Sequence, residues 1–394
     1  MILNLAILAT IAVVLGLLLR PSLRQAAVWR AMITPLASII GSGFLVLGPL
    51  LSHAYGRWAP LAMAALCLVA WGFGAAIRDN IRAIDRDGTA GPLWAESTAS
   101  ALLGFAYMIS VAYYLNLLGS FAVSLTPFDT QLAARLVTTA VYALILSVGW
   151  TSGFRVLERM EYASVSLKLA IIAGLMLGLV VFTGGKAAEG TLIFARASET
   201  GWAALTLGFG MIVTVQGFET SRYLGNEYSA ATRIQSMQRA QRLSTGIYLI
   251  YILLVAYAFD PSTVPLSETA IVDMTGAVSP VLPLVLVAAA LAAQFSAAVA
   301  DTGGSGGLIE ELSRRRLSER QAYGLTVAIG LGLTWAADVF EIIAYASRAF
   351  AAYYAAQSAI AAVRCRRESP AKAAVFAALA LLGLAIAILG RPFE

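Results

Sequence analysis

The 394-residue sequence is poor in charge: 12% of its residues are Asp, Glu, Lys or Arg, where a soluble chain carries about a quarter. Hydrophobic residues make up 59%, and the mean hydropathy is +0.79. So little polar surface excludes a soluble globular fold of this length. Cysteine is scarce as well. Cys67 falls in an apolar run and Cys365 beside a basic turn, which gives neither a disulfide framework nor a thiolate metal site. His53 is the single histidine. The chain has no GxxxxGK[ST], no HExxH, no GxSxG with triad partners and no carboxylates at metal-ligand spacing. ATP-driven pumping and membrane hydrolase chemistry therefore lack their residues, and neither a metal nor a cofactor is expected.

What the sequence has is long apolar runs. A membrane span needs about 17–25 such residues. They lie at 2–19, 31–54, 59–77, 99–125, 132–150, 161–183, 202–221, 243–259, 279–304, 321–338, 339–363 and 371–390, predicting about 12 transmembrane helices in an all-α integral membrane protein. The first has no basic stretch before it and no cleavage site, so it reads as an extra N-terminal helix rather than a signal peptide. Twenty of the 27 Lys and Arg residues occupy alternate connections, around Arg20–Arg30, Arg78–Arg86, Arg155–Arg159, Arg222–Arg242, Arg314–Arg320 and Arg364–Lys372. Only Arg57, Arg135, Lys186, Arg196 and Arg391 lie on the other side, while Lys168 and Arg348 fall within spans. Basic loops stay in the cytoplasm, so the split predicts a multi-pass protein of a bacterial-type inner membrane with both termini outside. The net charge of +5 is thus a topology signal and implies no nucleic-acid partner. The expected partners are the bilayer, a small-molecule substrate and protons; no protein partner can be inferred.

Two spans are interrupted. The second run carries Gly41-Ser42-Gly43 in its middle and Pro49 beyond it. Two glycines there cost a helix roughly 2 kcal/mol against alanines, and hydrocarbon offers no water to the backbone groups they expose. The second interruption is "GFGMIVTVQGFETSRYLGNEY", residues 208–228, with Gly217 followed by Glu219. Five spans separate the two breaks, so the second unit starts from the opposite face. Glycine-interrupted segments at matching places in two halves point to an inverted-repeat transporter with its site at the midplane. The plain alternative is that the glycines only allow close helix packing.

At these residues a family resemblance enters. "IIGSGFLVLGPLLSHAYG" resembles the first helix of the amino acid–polyamine–organocation (APC) transporters, and "QGFETSRYLGNEYSAATRIQSMQRA" is similar to their sixth, although Ala230 and Ala231 stand where proline is usual. "ERMEYASVSLKLAIIAGLML" resembles the fifth helix with its mid-helix lysine. The N-terminal helix and "AAQFSAAVADTGGSGGLIEEL" lean toward the related sodium–solute symporters. The resemblance implies a LeuT-like 5+5 inverted repeat, with five-helix units at 31–183 and 201–363, an extra helix at 1–20 and another at 371–390. It implies substrate contacts from Ile40, Gly41, Ser42, Gly43 and Phe44 at the first break and from Val213, Thr214, Gln216, Gly217 and Phe218 at the second. Amides at the start of the restarted half-helix suit a carboxylate, and freed carbonyls of Val213, Thr214 and Val215 suit an ammonium. Together they match an amino acid or a related zwitterion. Tyr114, near Tyr113 and Asn116, is the expected side-chain contact from the third helix.

Charges inside spans are functional hypotheses by default. In several APC members the equivalent of Lys168 places its ammonium where sodium sits in relatives, and here Ser296-Ala297 lacks one of the two hydroxyls that sodium-coupled proteins supply. The pair predicts a sodium-independent carrier. Lys168 then reads either as a proton carrier or as a fixed bridge between helices. Glu219 belongs either to a proton path or to an ion pair with Arg222, and Arg348 either pairs with Asp301 or Glu341 or faces substrate. Two rival classes stay open: a sodium-coupled symporter of the related family, and a non-transporting sensor that kept the fold.

Overall fold

Hydropathy marks the part of a helix that sits in hydrocarbon, not where the helix ends, and most helices here run past their apolar runs. The structure is a computed structural model describing residues 1–41, 43–151, 161–225, 227–263 and 266–393. Among these residues it is all helical, with no strand. Helix α1 is Ile2–Leu18. The first interrupted span comprises α2, Ala27–Ile39, and α3, Gly43–Tyr55. Then follow α4 (Ala59–Asp87), α5 (Leu93–Val123), α6 (Gln131–Thr151) and α7 (Glu161–Ala188). The second interrupted span comprises α8, Gly201–Gly210, a 3-10 turn at Ile212–Val215, and the single turn α9, Thr220–Tyr223. After it come α10 (Ala230–Ala258), α11 (Ala270–Gly276), α12 (Leu282–Leu312), α13 (Glu319–Ala336), α14 (Val339–Cys365) and α15 (Pro370–Leu389).

Local chemistry sets these ends. Gly88 closes α4 with φ +77°, a left-handed cap that glycine adopts freely. The Ser229 hydroxyl accepts from the Thr232 amide and starts α10 thirteen residues before the apolar run predicts. Capping boxes open α13 at Ser318/Gln321 and α14 at Asp338/Glu341. Helix α4 continues ten residues beyond its run, and the first polar residues of that extension are buried and bonded. Arg78 donates to Gln241 at 2.5 Å, Asn80 donates to the Gln357 side chain at 2.9 Å, and Asp79 pairs with Arg364.

Seven segments are long and apolar enough to cross a membrane: Gly43–Asp87, Leu93–Val123, Gln131–Trp150, Tyr162–Ala188, Ala230–Ala258, Leu282–Leu312 and Pro370–Leu389. The first of these runs α3 and α4 together, while α2 and α8, the opening halves of the two interrupted spans, are each too short to count alone. Contacts also sort the loops by end. At one end Arg86 meets Glu368 and Arg222 meets Glu96. At the other, residues 193–199 lie across α3 and α10: Ile193 N–H donates to Tyr257, Arg57 N–H to Ala195 and Glu199 N–H to Ala54, while Arg391 pairs with Glu199 at 2.6 Å. The loops described at the first end include basic loops predicted to be cytoplasmic, and the sparse set lies at the second. Between α10 and α12 lies the short helix α11.

Helix α5 is buried along most of its length and packs against α12, α14 and α6. The spans also meet their counterparts five places on: α4 with α10, α5 with α12, α6 with α13, and the first broken span with the second through α2–α9 and α3 with the 3-10 turn.

Candidate functional site

At the first break α2 stops at Ile39, and Ile40 leaves helical geometry at φ −86°, ψ 56°. Helix α3 resumes at Gly43, so the Gly43 and Phe44 amides belong to a first turn, whose N–H groups have no intrahelical acceptor. Ser42 lies outside the described residues. At the second break α8 stops at Gly210, the 3-10 turn follows, Gln216 is extended, and Gly217 takes φ +114°. Glycine is required there for conformation and for space: a Cβ at Gly217 would lie 2.5 Å from Ser38 Cβ and 2.6 Å from the Ile39 nitrogen. A Cβ at Gly43 would lie 2.7 Å from the Tyr113 hydroxyl and 3.0 Å from Thr214 Cβ. Each break therefore seats its glycine against the other broken span.

Ile40, Phe44, Tyr114, Val213, Thr214, Gln216 and Phe218 are all buried. Gln216 Nε2 donates to the Tyr114 hydroxyl at 2.9 Å, and Tyr114 Cε1 would lie 3.5 Å from a Cβ on Gly41. The carbonyls differ from expectation. That of Val213 accepts from the Gln216 amide at 3.3 Å, so it is not free. The Tyr248 hydroxyl lies 2.7 Å from the Thr214 carbonyl and 2.6 Å from that of Ile39, bridging the two breaks from α10. A 3-10 turn reuses carbonyls that a clean helix end leaves open. Tyr248 carried no motif that singled it out.

Lys168, 2% exposed in α7, donates from Nζ to the Ala37 carbonyl at 2.7 Å, just before the first break. Ser296 donates to its own helix at Ala293 and accepts from Ser164 of α7 at 3.4 Å. Glu219 and Arg222 do not pair. Glu219 stands at the N-cap of the single turn α9, and the Arg222 N–H donates to its carbonyl at 2.9 Å, but its carboxylate points back to the break. Its Oε2 accepts from the Gly217 amide at 2.9 Å and from the Tyr354 hydroxyl at 2.8 Å, while Oε1 has no hydrogen-bond partner among the described residues. Arg222 instead pairs with Glu96 at the start of α5 and donates to Gln357 at 2.6 Å. Nor does Arg348 meet Asp301 or Glu341: it donates to the Ala387 carbonyl of α15 at 2.8 Å, on an exposed face, and Glu341 is spent in its capping box.

Asp301 is one of the two carboxylates that the sequence offers as a partner for Arg348. It is 2% exposed on α12 and accepts a hydrogen bond from the Ser110 hydroxyl of α5. It lines a cavity of about 430 Å³ that begins at Ala37 and Ser38, beside the breaks, and is walled by Tyr107, Thr220 and Asp301. Along α12 its wall runs from Ala297 to Glu311, about 21 Å at 1.5 Å per residue, and reaches exposed residues next to the Arg314–Arg316 turn. The cavity therefore connects the junction of the broken spans with the basic end.

Comparison with protein families matches residues 21–390 to the APC superfamily transporters. An uncharacterized protein of Aquifex aeolicus (strain VF5) is 39% identical over 396 residues, covering 95% of this chain and 94% of that protein.

Proposed function

The chain belongs to the APC transporter superfamily, and from that premise we propose that it is a secondary active transporter that moves a small organic solute, an amino acid or related zwitterion, by alternating access. The observation that carries the reading is the junction of two broken spans, each glycine lying where only backbone fits, at the head of a cavity reaching one end of the bundle. A half-helix that starts at mid-bundle presents amides and the positive end of its dipole to an anionic group. Pairing of α4 with α10, α5 with α12 and α6 with α13 supports two inverted five-helix repeats, 31–183 and 201–363, that rock about the site. The basic end faces the cytoplasm in this reading, so the cavity opens inward in a bacterial-type inner membrane and both termini lie outside. The bond from Lys168 to the Ala37 carbonyl supports a sodium-independent cycle, because the ammonium occupies the carbonyl a sodium ion would take. Lys168 then serves as the proton carrier.

Uptake into proteoliposomes tests it. Wild-type uptake of an amino-acid mixture is expected to persist when choline replaces sodium and to rise with an imposed proton gradient. Lys168→Ala is expected to lose the response to pH and keep exchange. Gly43→Val is expected to abolish uptake in a protein that still inserts, since a valine meets Tyr113 and Thr214. Collapse in choline would instead favour sodium coupling, and indifference to both gradients would make Lys168 a fixed bridge.

A further inference from the structure

A zwitterion's ammonium is expected at carbonyls freed by the second break, yet the Tyr248 hydroxyl already stands between the carbonyls of Thr214 and Ile39, in the space an ammonium would fill. The unpaired negative charge is elsewhere. Among the described residues Asp301 has no ion pair, and its only hydrogen bond is from Ser110. A carboxylate buried in low dielectric without a cation is unstable, so it holds a proton or recruits a cation from outside. Glu219, fully buried and also without an ion pair, adds a second negative group next to the cavity residue Thr220. Lys168 donates to the Ala37 carbonyl and Arg222 pairs with Glu96, and neither forms an ion pair with Asp301 among the described residues.

Room for an organic cation lies in the cavity that Asp301 lines. Gly303 and Gly307 leave the α12 wall bare, and a Cβ at either would meet no atom within 4 Å. Gly304 lets the Tyr107 ring lie against the same helix, 3.0 Å from the position of an added Cβ, so an aromatic ring joins the carboxylate in the cavity wall. Carboxylate, aromatic ring and open volume are the elements that recognise an alkylammonium. We infer that the cavity binds the ammonium group of the solute, with Asp301 as its counter-ion and specificity-determining residue. The inference rests on the transporter reading of this region and moves the cationic end of the cargo from the break to α12.

The test is binding to the purified full-length chain, read as the shift in unfolding temperature with ligand concentration. The probes are methylamine, isoamylamine, phenethylamine and leucinamide, set against acetate, 4-methylpentanoate and 3-phenylpropanoate at fixed ionic strength. At least one amine is expected to stabilise the wild type where the carboxylate of matching shape does not. Asp301→Asn is expected to weaken that amine at least about a hundredfold, as removal of a buried counter-ion does, with Asp301→Glu in between. Gly307→Leu fills open space, improves helix propensity and is expected to lose the amine while staying folded. Three results would overturn the inference: carboxylates binding as well as amines, no amine stabilising the wild type, or amine affinity unchanged in Asp301→Asn. Sodium chloride alone reproducing an Asp301-dependent shift would also overturn it, by making the cation inorganic. Amino-acid uptake that survives Asp301→Asn removes this inference and leaves the transporter reading intact, whereas no uptake by the wild type removes the latter.

Discussion

Replacing Gly217 by alanine tests the junction of the broken spans more directly than any change of charge. The residue sits at φ +114°, which an L-residue adopts only under strain of about 1–3 kcal/mol. The new methyl would also lie 2.5 Å from Ser38 Cβ and 2.6 Å from the Ile39 nitrogen. These belong to the last turn of α2, where no rotamer change relieves the contact, so overpacking adds about 1–3 kcal/mol. The expected loss is therefore about 2–6 kcal/mol. Gly43→Ala carries no positive-φ strain and meets the flexible end of Tyr113 before Thr214, so about 1–3 kcal/mol is expected. Gly303→Ala meets nothing within 4 Å and is expected to be neutral or to gain up to about 1 kcal/mol of helix propensity. Cys67 and Cys365 are both buried, so a thiol-reactive fluorophore follows unfolding in detergent without introduced cysteines. The midpoints should fall in the order Gly303→Ala at or above wild type, then Gly43→Ala, then Gly217→Ala. If Gly217→Ala unfolds with the wild type, the second break does not rest on the end of α2, and the junction is wrongly drawn.

Cysteines introduced one at a time near Arg86, Arg239 and Arg315 should resist an impermeant thiol reagent in intact cells, while one near Lys186 should react; the reverse would invert the topology and the direction in which the cavity opens. The Arg222–Glu96 pair ties α9 to α5, and a double-mutant cycle with Arg222→Ala and Glu96→Ala should show coupling of about 1–3 kcal/mol in unfolding. Additive effects there would mean the contact does not tie α9 to α5.

Helix content, membrane class and the positions of both breaks were legible in the sequence, because each follows from local physics. Apolar length is a property of a run of residues, loop charge needs only counting, and a Gly-Ser-Gly in hydrocarbon strains a helix wherever it is placed. Lys168 stood out locally as a charge in the middle of an apolar run, while its approach to the first broken span was implied by the family resemblance alone. The partners of the other charges were not legible. Glu219 and Arg222 stand three apart on the single turn α9, yet one side chain turns to Gly217 and Tyr354 and the other to Glu96 and Gln357. Asp301 was readable as an odd charge and not as part of a cavity wall, since Ser110 and Tyr107 come from α5, about 190 residues earlier. Tyr248 gave no signal at all, being one tyrosine among fifteen, and only the crossing of α10 behind both breaks puts its hydroxyl between two carbonyls. Backbone breaks are written locally, whereas the choice of partner for a buried polar group depends on which helices the whole bundle brings together.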